Sequence, residues 1–413
     1  MENQSELAYF KQRRADFPSL GRFVGQNPAV YLDGPAGTQV PMAVIEAVSS
    51  YYQNSNANTH GAFLTTQETD QILAQTRESV AAFLGAPGPE TISFGANMTT
   101  LNFSLSKAIA RSLIPGDEVL VTQLDHEANR GPWLALAEHG VTVREITVRS
   151  DGTLDYDDAR SKITPKTRLV AMGMASNAFG TVNDVRRIRS WANDVGALLL
   201  LDAVHYAPHF PIDVQEVGPD FLLCSAYKFY GPHVGILYTR PGLLEQLRTD
   251  RLRTQDEHAP ARIETGTLNH ASIAGVKAAI QYIASLGDGT NHRDAILSGM
   301  RRIGAHEGHL ALRLYSGLQR IPGITVRGPS FQTPQRAPTV SFTMDGTTPE
   351  QLCARLAHEG IFAWDGHFYA IRPMEMLGLL ERGGVTRIGV SLYTMEAEID
   401  RVLSVLGSLA RSV

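Results

Sequence analysis

Lys228 closes the apolar run Phe221-Leu-Leu-Cys-Ser-Ala-Tyr-Lys, with Ser225 three residues before it and Gly231-Pro232 just after. Burying an ammonium is unfavourable unless it is paired. A lysine in an apolar pocket is pushed toward its neutral, nucleophilic form, the form that makes a Schiff base with an aldehyde. The alternative is a side chain that snorkels from a strand end to water. Upstream, Ala197-Leu-Leu-Leu-Leu-Asp202 ends a second apolar run in a carboxylate. An acid there can keep a pyridinium nitrogen protonated, so that the ring draws electrons from a substrate. Taken alone, it could equally cap a turn. A third feature, Ile92-Ser-Phe-Gly-Ala96-Asn97-Met98, leads into a helical pattern with apolar Leu101, Leu105, Ala108, Ile109 and Leu113. Free N–H groups around Asn97 and Met98 then make an anion site at a helix start.

These groups need a frame. Apolar runs without alternation fit strands buried on both faces of a parallel sheet, and an acid at a strand's C-terminal end falls where open α/β sheets bind ligands. Strands alternate with helices from about Tyr31 to Leu286. Asp184 to Val195 reads as a helix with Gly196 just beyond it. A further helix begins near Asn291 and leads into a smaller C-terminal part. There Arg336–Met344 and Thr386–Leu392 read as strands around a helix carrying Cys353. Residues 251–262 are polar and read as a loop or subunit contact, and His306-Glu-Gly-His309 reads as a solvated helix face.

The order of the pieces resembles the class V aminotransferases of pyridoxal 5′-phosphate fold type I, in their cysteine desulfurase and selenocysteine lyase-like branch. The resemblance runs from Tyr31-Leu-Asp-Gly-Pro-Ala-Gly-Thr38 to Arg387-Ile-Gly-Val-Ser-Leu-Tyr-Thr394 and includes Asp125-His126-Glu127 and Asn177. It implies a large domain over residues 20–290 with a mainly parallel seven-stranded sheet. It also implies a small α+β domain over 291–413, against which residues 1–19 pack. Lys228 would hold the pyridoxal phosphate as a Schiff base and shuttle the Cα proton. Asp202 would meet the pyridine nitrogen, and His126 would stack on the ring. Asn177 and His205 would lie near the phenolic oxygen. Ala96, Asn97, Met98 and Ser225 would hold the phosphate, joined by Thr267 reaching across a homodimer interface. Arg387 would grip the carboxylate of an amino-acid substrate. Loops from both subunits, near Pro35–Thr38, Asn58–Phe63 with His60, and Trp364–Arg372, would set the side-chain preference.

The departures narrow the reaction. The phosphate turn reads Ala96-Asn97-Met98 where the family has Gly-Thr-Thr, His205 stands where Gln is usual, and Tyr227 where His is usual. Desulfurases of the relevant type carry Arg-x-Gly-His-His-Cys-Ala with a persulfide-forming cysteine; this chain reads Trp364-Asp-Gly-His-Phe-Tyr369-Ala. The only two cysteines, Cys224 and Cys353, read as buried structural thiols. The expectation is therefore a lyase that labilises the Cα proton and eliminates a β-substituent, with Tyr369 as acid to the leaving group or as packing. Transamination, epimerisation and a non-catalytic scaffold are the alternatives.

The rest of the chain excludes more than it adds. A length of 413 residues supports two or more domains. A net charge of −5 with interspersed signs leaves no nucleic-acid or membrane footprint. No apolar run reaches the ~20 residues that span a bilayer. Neither a secretory pattern nor a disulfide framework is visible, so cytoplasmic residence is expected. His205 and His209 have helical metal-ligand spacing, but Pro208 argues against a helix there.

Overall fold

The computed structural model describes residues 2–331 and 335–411. Seven strands form the main sheet: β1 Ile92–Gly95, β2 Glu118–Thr122, β3 Thr142–Ile146, β4 Thr167–Gly173, β5 Leu198–Asp202, β6 Phe221–Ser225 and β7 Gly235–Thr239. Their order is β1-β7-β6-β5-β4-β2-β3. Strands β2 to β6 pair in parallel, and only β7 runs against both its neighbours. This is the mainly parallel seven-stranded sheet that the family resemblance implies. Alternate residues along each strand feed two separate cores. Leu199, Leu201, Leu222 and Cys224 face one, and Leu200, Phe221, Leu223 and Leu237 face the other.

Local chemistry sets the flanking helices. Met98–Ala110 starts at a reciprocal capping box between Asn97 and Thr100, and buries Leu101, Leu105, Ala108 and Ile109. Leu113 lies past its end yet still packs on the same core. Val185–Val195 is capped by Asp184, whose side chain accepts from the Arg187 N–H, and stops where Gly196 turns left-handed at φ 71°.

A second, antiparallel sheet is built from β8 Ile324–Arg327, β9 Thr339–Met344, β10 Trp364–Gly366 and β11 Val385–Gly389, in the order β8-β9-β11-β10. Its apolar face packs under the helices Pro349–His358 and Glu396–Arg411, with Leu352, Leu356, Val402 and Leu406 buried. The strand read from Arg336 begins only at Thr339, because Arg336 instead bridges Thr181. The N-terminal segment contacts both parts: Arg14 pairs with Glu398 at 2.6 Å, while Asp16 accepts from the Tyr282 hydroxyl at 2.9 Å.

One expectation is corrected here. His306 and Glu307 do not face solvent; both are buried. The helix His292–Leu318 is packed on several sides, so a polar pattern does not mean a wet face. Phe10 stacks on the His306 ring at 4.3 Å, and Glu307 accepts from Tyr230 and bonds His209. Among the described residues, no helix is long and apolar enough to cross a membrane.

Candidate active site

The C-terminal edge of the main sheet gathers the chemistry into a cavity of about 760 Å³. In register along that edge lie Gly95, Gly235 and Ser225, then Asp202 opposite Gly173. Small residues matter here. A Cβ on Gly235 would sit 2.3 Å from the Asn97 carbonyl carbon, so only glycine lets the helix-start turn lie against β7.

Lys228 sits in the single turn after β6, and its Nζ donates to the Pro35 and Ala36 carbonyls at 2.6 and 2.9 Å. Burial, reinforced by the Arg387 charge, pulls its pKa down to about 7 against the pull of Asp202 and Asp33. Near neutrality a large share of this amine is therefore unprotonated. The buried Asp202 is pushed up to about 6 by desolvation, restrained by a bond from the Val204 N–H and by Lys228. Asp125 is pushed up to about 7, first by burial. Its Oδ1 accepts from the Gly173 N–H and its Oδ2 from Asn129, so it ties β2 to β4 beneath Asp202.

His126 accepts the Ala128 N–H on Nδ1 at 2.9 Å, which places any ring proton on Nε2. Burial first, then Lys228 and Arg387, lowers its pKa to about 4, leaving a neutral ring suited to stacking. His205 bonds Thr339 Oγ1 at 3.0 Å and is likewise held neutral, by burial and then by the charges of His209, Arg387 and Lys228. His209 is engaged with Glu307 at 2.7 Å, so these two histidines belong to separate polar contacts.

Arg387 comes from β11 and is buried. Its Nη1 donates to the Asn177 carbonyl, the Asn177 side chain donates to the Phe368 carbonyl, and the Phe368 ring covers the guanidinium at 3.9 Å. These three contacts close a ring. The Arg387 Nε is buried without a partner. Phe368 and Tyr369 are both left-handed, at φ 53° and 57°, a costly backbone for two bulky residues. The Asn177 side-chain amide and the Glu127 N–H donate to their carbonyls and hold them there.

The helix-start amides differ from expectation. The Met98 N–H is engaged by Ser225 Oγ at 3.0 Å and the Asn97 N–H by Thr100 Oγ1, so neither is free. Three expected residues lie outside the Lys228 cavity. Ala96 and Thr267 line a smaller neighbouring one, and Thr267 and His60 line another, where His60 sits exposed beside Asp70. Sequence reasoning assigned no role to Asp33 or Asp125, and it gave Phe368 only a place in an aromatic cluster with Phe362, Trp364 and Tyr369 that hinted at an apolar pocket. Asp33 and Asp125 lay within quoted motifs, but nothing in the spacing signalled their burial.

The lining fits a phosphorylated pyridine aldehyde: a neutral amine, a carboxylate at a strand end, a neutral imidazole and a helix start beside a serine. The partnerless Arg387 Nε adds a donor for a carboxylate. Fold and cavity together define fold type I of the pyridoxal 5′-phosphate enzymes. The family model of the class V aminotransferases matches residues 30–402, and the chain belongs to that family, whose members use this cofactor. It is 31% identical to a cysteine desulfurase of Pectobacterium atrosepticum, covering 96% of this chain and 97% of the relative. It is 33% identical to a probable cysteine desulfurase of Streptomyces coelicolor, with 94% of each covered. The structure is similar to the cysteine desulfurase CsdA of Escherichia coli, with a TM-score of 0.86, 28% identity, and 98% of this chain and 99% of that one covered.

A lowered lysine pKa has a direct consequence. The rate at which the cofactor-free protein takes up pyridoxal 5′-phosphate should rise about tenfold per pH unit below about 7 and level off above it, because only the neutral amine attacks. Stopped-flow absorbance at a series of pH values measures this; a rise continuing toward pH 10 would show an ordinary lysine.

Proposed function

We propose that this enzyme cleaves the Cβ–S bond, or another Cβ–leaving-group bond, of an amino acid without forming a protein persulfide. The observation that carries the reading is the thiol inventory. Cys224 and Cys353 are buried, neither lines the cavity, and burial raises both pKa values, that of Cys353 to about 12. Tyr369 lines the cavity, and it stands where the family resemblance would put the nucleophile.

When bound, the cofactor supplies an aldehyde and an electron-withdrawing ring. Lys228 is the group placed to hold it and to take the Cα proton, in keeping with its lowered pKa. Asp202 would keep the ring nitrogen protonated and His126 would cover one face. Ser225 would bind the phosphate together with the Asn97 and Met98 N–H groups, which would exchange their present contacts with Thr100 and Ser225 for it, and His205 and Asn177 would lie near the phenolic oxygen. Arg387 would bind the substrate carboxylate with its free Nε edge. The leaving group departs with the Cβ–S electron pair and gains a proton. Overall, an S-substituted cysteine and one water give a thiol, pyruvate and ammonium. His60, Thr267 and Ala96, outside this cavity in one chain, would serve a site completed by a second subunit, in a cytoplasmic homodimer.

The test is a product assay on the cofactor-loaded protein with L-cysteine and S-substituted cysteines. Pyruvate, ammonium and thiol in equal amounts support the reading. Keto acid with stoichiometric conversion of the cofactor to its amine makes it an aminotransferase, inversion at Cα makes it an epimerase, and alanine with a protein-bound persulfide makes it a desulfurase.

Tyr369 is 69% exposed, and its backbone carbonyl, not its hydroxyl, holds the Glu127 N–H. Tyr369→Phe should therefore leave kcat within about twofold. A loss of ~100-fold or more would identify the hydroxyl as the acid that protonates the leaving group.

A further inference from the structure

We infer that the substrate's side chain is neutral, bulky and apolar, and that Trp364 and Phe368 form the wall it packs against. This rests on the reading of a Cα-directed enzyme but not on which bond breaks. The charge lining the cavity comes first. Among the described residues, the Lys and Arg groups that line it are Lys228 and Arg387, both matched to the amino-acid head. Arg372, in the short helix Ile371–Met376 that follows Phe368, is held by Glu145 at 2.8 Å and Glu375 at 3.1 Å and does not line the cavity. The remaining charges are carboxylates: Asp125 and Asp202 deep inside, Glu127 and Asp365 elsewhere on the lining. A second acid on the substrate would meet like charge and no further lysine or arginine. Glu127 is paired to Arg130 at 3.2 Å, which weakens its pull on a cationic side chain.

The apolar lining comes second. Met98, Phe103, Trp364, Phe368 and Tyr369 line the same cavity. In a single chain Phe103, Trp364 and Tyr369 keep 43%, 51% and 69% of their surface exposed, so three aromatic rings continue the site beyond the amino-acid head. Exposed apolar area of this kind, continuous with a binding site, is relieved by an apolar ligand. The side chain of cysteine is too short to cover it. Rigidity comes third: the contact ring of Phe368, Asn177 and Arg387 fixes the wall to the carboxylate site, so head and side chain are read by one body.

The experiment uses the cofactor-loaded enzyme and two readouts. Binding of L-phenylalanine, L-aspartate, L-lysine and L-alanine is followed through the visible absorbance of the cofactor, and needs no leaving group. Turnover is compared for S-benzyl-L-cysteine and L-cysteine. L-Phenylalanine should bind at least about tenfold more tightly than the other three, and S-benzyl-L-cysteine should have a kcat/KM about tenfold or more above that of L-cysteine. Trp364→Ala, at an exposed position, should raise the KM for S-benzyl-L-cysteine about tenfold with a smaller change in kcat. Tighter binding of aspartate or lysine, or an unchanged KM in the variant, overturns the inference. If L-phenylalanine is preferred but no thiol is released, the substrate class stands and the lyase reading falls.

Discussion

Lys228→Ala should lower turnover by about 1,000-fold or more while the protein still folds and still binds the cofactor. In the proposed function Lys228 would carry two tasks, the covalent attachment and the proton transfer at Cα, and general acid–base catalysis alone is worth about 100- to 10,000-fold. The absorbance of the loaded variant should be that of the free aldehyde, because no amine remains to bond it. Folding should survive because burial penalises this amine. Its folded pKa of about 7 lies below the unfolded value, so the folded state loses stability as pH falls from about 10.5 to 7, and the full cost is present below 7. Lys228→Met removes that dependence. In the cofactor-free state its melting temperature should fall less over this window than that of the native chain. Equal slopes would mean that Lys228 titrates as a solvated amine.

Arg387→Lys should cost about 100- to 1,000-fold in kcat/KM, mostly through KM. A lysine cannot reproduce a planar two-point grip, nor the stack under Phe368 and the bond to the Asn177 carbonyl. Burial already depresses the arginine to about 9 against the pull of Asp33, and a lysine in the same place would lose its charge more readily. A substrate amine without a carboxylate is the control. It should react at the same slow rate with both proteins; a difference there would assign Arg387 to holding the fold.

The sequence carried the parts of the site that sit at strand ends. Asp202 and Lys228 terminate apolar runs, which placed them at one sheet edge while a turn cap or a snorkelling lysine stayed open as alternatives. The helix start at Asn97 was legible from its apolar pattern, but the engagement of its N–H groups by Thr100 and Ser225 was not. What stayed hidden depends on packing across long separations. The contact ring joins residues 177, 368 and 387, and nothing local marks Phe368 as more than one aromatic among several. Asp125 looked like a neighbour of His126, because its bond to Gly173 follows from strand order. His306 and Glu307 misled for the opposite reason: their polarity suggested water, and the helices packed around them supplied partners instead.

Arg387 hangs from the antiparallel sheet and Lys228 from the parallel one, with Asp33 beside the junction through its bridge to Gly389. With the roles proposed for these two residues, a molecule offering only an amine would engage one scaffold, and one offering only a carboxylate the other. An α-amino acid would span both, which would make the enzyme a coincidence detector whose two inputs are wired to different sheets.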